Sequence, residues 1–181
     1  AFAPDGCELA HRLIPQLEGI NTLPFKLELI KLSVGVNGLV KSNDLTDLTQ
    51  IWLDYQPNSL AWPLMSEKMK MVIVQNLTGK ENIDWISATI KGNNEQKIYY
   101  IPRFNKMLDV LDVEKTMFVP NTNHIIRPCF SLQKTLDYAV FHHPSPIDTW
   151  KITSLYVNEA IKKAILKEKL KGVVFESVLV I

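Results

Sequence analysis

The side chains able to do chemistry are few, and their spacing does not favour it. His124, Cys129, His142 and His143 are soft ligands gathered in one part of the chain. A zinc site needs three or four such donors on fixed elements, and this spacing matches none of the usual patterns. On an extended strand His142 and His143 point to opposite faces, so one ion takes both only if a loop folds around it. Cys7 and Cys129 read as reduced thiols, with a single bridge between them as the alternative. No metal or cofactor is therefore expected. Asp109 and Asp112 form the best-placed carboxylate pair. Set across a scissile bond they would make a small hydrolase of unknown substrate, but as neighbours in an Asp-rich stretch they read better as turn residues. The chain has no G-x-S-x-G, no glycine-rich phosphate loop and no H-E-x-x-H. Lys162, Lys163, Lys167, Lys169 and Lys171 wrap around a helix without interleaved aromatics, which describes a solvated face rather than a phosphate grip.

Binding is the other kind of work a chain can do. Residues 42–67 contain no Lys or Arg, yet hold Asp44, Asp47 and Asp54 beside Trp52, Tyr55 and Trp62. Aromatic anchors ringed by charge are typical of an interface hot spot, and opposite charge would speed the approach of a basic partner. Core aromatics under a solvated acidic loop would give the same composition. Globally there is no such bias: twenty basic and nineteen acidic residues leave a net charge of +1, which gives no reason to expect nucleic acid or an anionic membrane as partner. No apolar run approaches the roughly 20 residues that cross a bilayer, so a soluble protein is expected.

A chain of 181 residues, 46% hydrophobic, can bury about 70% of its unfolded surface in one core, which predicts a single domain over residues 1–181. Residues 1–23 are a poorly specified entry segment, interrupted by Pro15 and turning at Gly19. The expected fold is α+β: a mixed or antiparallel sheet, irregular loops and two related strand-helix-strand halves. The closing unit, residues 150–181, is the clearer half. Asn158 caps a helix whose Val157, Ile161, Ala164 and Ile165 share a face; Gly172 permits its left-handed stop, and the β-branched run 173–181 follows as a buried strand. The earlier half repeats it, with Ser66 in the place of Asn158, Met69 of Ile161, Ile73 of Ile165 and Gly79 of Gly172, leading to a strand over 83–90.

Elsewhere, alternation predicts a strand over 25–32, and Asn37-Gly38 a hairpin or flexible loop. Residues 91–96 are a turn cluster, and 97–103 a strand limited by Pro102. Residues 45–53, 107–118 and 130–140 are ambiguous.

The stretches KIYYIPRFNKMLDVLDVEKTMF at 97–118 and LYVNEAIKKAILKEKLKGVVFESV at 155–178 occur in order after PFKLEL at 24–29 and MSEKMK at 65–70. Together they resemble a bacterial family first catalogued as a domain of unknown function and later grouped with immunity proteins of polymorphic toxin systems. The resemblance implies a small cytoplasmic protein of interbacterial competition that neutralises a cognate protein toxin by binding it. It transfers no catalytic residue. Asp44, Asp47, Trp52, Asp54, Tyr55 and Trp62 are then the candidate toxin-binding residues.

Overall fold

The computed structural model describes residues 1–4, 19–36, 38–142 and 155–181. Cys7, Pro15, His143 and the part of the closing unit before Leu155 lie outside them.

The longest paired element is a hairpin of β4 (Ile83–Gly92) and β5 (Glu95–Phe104), in register from Ile83 opposite Phe104 to Gly92 opposite Glu95. Asn93 and Asn94 close it, both at positive φ (46° and 63°), a conformation Asn tolerates and one whose twist matches the flanking strands. Pro102 does not end β5. Tyr100 donates its N–H outward to the Met65 carbonyl at 2.7 Å, and two residues on Pro102 has the same sense, so its missing donor faces away from the ladder. Strand β1 (Leu27–Glu28) adds to the far edge of β4, parallel.

The predicted strand over 25–32 is split. After β1 the chain leaves the three-stranded sheet, and from Lys31 it enters a separate hairpin of β2 (Lys31–Gly35) and β3 (Gly38–Ser42). Residues 45–53 are neither helix nor strand.

Helix α1 (Glu67–Val74) starts at Ser66, whose hydroxyl accepts from Met69 N. Two short strands follow the hairpin, β6 (Met117–Phe118) and β7 (Ile125–Arg127), then the helical turn α2 (Leu132–Thr135). Strand β8 (Val140–His142) pairs antiparallel with β9 (Leu155–Val157), which leads into α3 (Glu159–Lys167). Asn158 caps α3 as α1 is capped, its side-chain oxygen accepting from Ile161 N at 3.0 Å. Replacing Asn158 by Ala should lower stability by about 1 kcal/mol, read as a shift in the urea midpoint. A change below a few tenths would mean that this bond does not hold the helix start.

Two findings correct the expected second half. The stop of α3 lies at Lys169, not Gly172. Lys169 has φ 54°, Leu170 N reaches Ile165 O at 3.1 Å and Lys169 N reaches Leu166 O at 3.1 Å, a Schellman closure built on a non-glycine residue. Residues 173–181 form no named strand either. The tail touches strand geometry at Val180, bridged to Phe130, while Val174 and Leu179 are 91% and 76% exposed. The parallel between the halves therefore lies in their capped helices, which pack together, and not in a second closing strand.

Two buried clusters rest on the central hairpin. Ile86, Ala88, Ile90, Tyr99 and Ile101 on one face meet Leu27, Leu45, Leu60, Trp62 and Leu64. Phe104 joins Met65, Met69, Ile73, Phe130, Phe141, Ile161 and Ile165 in the other. The domain is α+β, with both clusters in contact with the same pair of strands.

Arg103 fastens the entry segment to this frame. It is 8% exposed and lies opposite Asp84 across the ladder, donating Nε to Oδ1 at 2.7 Å and Nη2 to Oδ2 at 2.6 Å, with Nη1 on the Ile20 carbonyl at 3.0 Å. A planar fork suits this geometry as an ammonium would not.

Candidate interaction surface

The candidate residues do not converge on one patch. Trp62 is 2% exposed and fills the first cluster. Asp54 ties the two helical units together: its Oδ1 accepts from the Ser66 hydroxyl at 2.8 Å and its Oδ2 from Lys171 N at 2.9 Å, so one carboxylate holds the start of α1 beside the chain leaving α3. Next to it Tyr55 N donates to Lys171 O at 3.0 Å, and burial pushes the Tyr55 phenol above its ordinary range. Trp52 is half-buried, stacked on Tyr99 with ring centroids 6.3 Å apart, its indole N–H on Glu95 at 3.1 Å and Lys97 4.7 Å over its ring. Burial, aided by the Asp54 charge, pushes the Tyr99 phenol up to about 12, so it stays a neutral donor to the Leu53 carbonyl at 2.7 Å.

Asp44 and Asp47 are the exposed members. The Thr46 hydroxyl and backbone N–H both donate to Asp44 Oδ1 and hold its carboxyl below the usual range. Asp47 is ion-paired with Lys31 at the root of the β2–β3 hairpin. Behind this segment lies an apolar cavity of about 470 Å³, lined by Leu29, Leu32, Leu45, Leu48, Ile51 and Leu53 among others.

The carboxylate pair read as a possible hydrolase site is engaged in local structure. Asp109 is exposed and paired with Lys134 at 2.8 Å. Asp112 opens a turn and is bonded to Lys115 through both backbone N–H and ammonium. Desolvation pushes its carboxyl up, but the Lys115 bonds and charge outweigh it and the net shift is downward. A general acid needs the opposite shift. Among the described residues no group of three or more His, Cys, Asp and Glu is placed to hold a metal ion. His142 is buried against Phe104, ring centroids 4.6 Å apart, and Cys129 is a half-buried free thiol. No helix among the described residues is long and apolar enough to cross a membrane.

Sequence reasoning missed Glu81. It is fully buried, with Oε1 accepting from Ala139 N at 2.7 Å and both oxygens from Thr78 N at 3.1 Å. In the sequence it is one acid among polar loop residues, and its burial depends on β8 arriving from 58 positions away.

A family model described as "Immunity protein family (Imm11)" matches residues 40–180. No curated protein and no solved structure matches the chain.

Proposed function

Since the chain belongs to the immunity protein family (Imm11), we propose that it binds one cognate protein toxin in the cytoplasm and neutralises it by covering its surface, with no reaction and no cofactor of its own. The observation that carries this reading is the family match over residues 40–180. The local ion pairs that occupy Asp109 and Asp112 favour it over hydrolysis. The test is co-expression with the toxin domain encoded beside this chain's gene. Cells carrying both should grow, and cells carrying the toxin alone should not. Equal killing with and without this protein would sink the reading.

The toxin-facing part of the candidate set is Asp44 and Asp47 with the open edge of Trp52. Asp54, Tyr55 and Trp62 support that segment from within. Asp44→Asn with Asp47→Asn should therefore leave the melting temperature unchanged while slowing association with the toxin by roughly threefold or more and flattening its salt dependence. Stopped-flow association at two salt concentrations measures both. Unchanged kinetics would move the electrostatic contact elsewhere.

A further inference from the structure

The β2–β3 hairpin exposes apolar side chains that the fold does not use. Leu32 and Val34 lie on one face with Lys41 and Leu39, because paired residues of an antiparallel ladder point the same way and Leu32 is opposite Lys41, Val34 opposite Leu39. Val34 is 88% exposed and Leu39 72%, and Val36 beyond them is fully exposed. The hairpin is a sheet of its own, and among the described residues no third strand joins it. Two strands alone are marginal in water, and an uncovered apolar face is a binding surface or a liability. At its root Leu32 also lines the 470 Å³ apolar cavity, so the face continues into a recess able to take a side chain.

Charge decides what covers it. The described residues of the hairpin include Lys31 and Lys41 and no acid. Lys31 is engaged by Asp47, and Lys41 stands on the apolar face, 5.6 Å from the Phe2 ring. A second copy laid face to face would bring further lysines and no carboxylate from its own hairpin. A partner carrying an apolar patch edged by Asp or Glu would satisfy both the face and the ammonium.

We propose that this hairpin is the apolar half of the toxin-binding surface and docks on an acid-edged apolar patch of the toxin, an inference that rests on the immunity reading above.

The experiment measures affinity for an inactive form of the toxin domain encoded beside this chain's gene, by calorimetry. V34T/V36T/L39T puts a β-branched residue at each of the three exposed positions and should melt at the wild-type temperature, yet bind at least about tenfold more weakly. K41E should weaken binding by a similar factor. Binding within twofold of wild type by the triple variant overturns the hairpin assignment, and by K41E alone overturns the acidic edge. A wild-type dimer that the triple variant converts to monomer would assign the face to a second copy instead. If wild type binds and protects while both variants do so equally, the inference fails and the immunity reading stands. If wild type neither binds nor protects, both fail.

Discussion

Glu81→Ala is expected to remove about 2–3 kcal/mol of folding stability, chiefly by leaving a buried backbone donor without its acceptor. The carboxylate is fully buried and receives Thr78 N, the Thr78 hydroxyl and Ala139 N, which joins the loop after α1 to the chain entering β8. Truncation leaves Ala139 N, a buried donor, without an acceptor, whereas the exposed Thr78 can turn to water and its hydroxyl keeps the Asp137 carbonyl at 2.8 Å; an unmet buried donor costs about 1–3 kcal/mol. Glu81→Gln retains one oxygen acceptor and should lose less. Desolvation raises the Glu81 carboxyl, but the bonds from Ala139 and Thr78 outweigh it and its net shift is below the ordinary 4.5. A carboxyl whose folded value is depressed contributes stability in full above its unfolded value and loses it as the pH falls through the folded one. Wild type should therefore weaken below about pH 4.5, more steeply than Glu81→Gln. Urea titrations at pH 7 and at descending acid pH read both effects. A loss under 1 kcal/mol for Glu81→Ala would show that the donors find other acceptors.

Gly172→Ala should cost about 3 kcal/mol or more, from two additive causes. The residue sits at φ 95°, where a side chain is strained, and a Cβ would fall 2.2 Å from the Tyr55 carbonyl oxygen and 3.0 Å from Leu53 Cβ. The backbone there cannot step aside cheaply, since Tyr55 N is bonded to Lys171 O and Asp54 to Lys171 N. Gly79 separates the two causes. Its φ is 87° but nothing lies within 4 Å of its would-be Cβ, so Gly79→Ala should cost only the conformational part, about 1 kcal/mol. Thermal or urea unfolding of the two variants gives the difference. Equal losses would mean that the close approach to Tyr55 relaxes freely.

These cases also show which parts of the fold a sequence can carry. Ser66 and Asn158 were readable because a cap acts within three residues of itself, and the β4–β5 hairpin because its alternation and its Asn-rich turn are local. Gly172 was readable as a glycine but not for its reason, which is the backbone of a segment more than a hundred positions earlier. The run 173–181 has strand composition, yet composition does not supply a neighbouring ladder. In the candidate surface the acidic stretch was visible, while its sorting into core (Trp62), tie (Asp54) and solvent (Asp44) depended on contacts from α1, α3 and β5. Leu32, Val34 and Leu39 show the converse. Alternation predicted a strand only as far as Leu32, and Asn37-Gly38 a hairpin or loop beyond it, but neither signal says whether the apolar face of such a hairpin is covered.

Because both clusters of buried side chains rest on β4 and β5, neither has a floor of its own. Opening one must disturb the strands that support the other, so the amides of Ile86, Ala88, Tyr99 and Ile101 are expected to exchange with solvent deuterium only through an event that involves most of the chain. The β2–β3 hairpin shares no ladder with that pair. It can fray and reform on a faster clock while the body remains closed, which leaves a binding element free to adjust its shape without drawing on the stability of the domain.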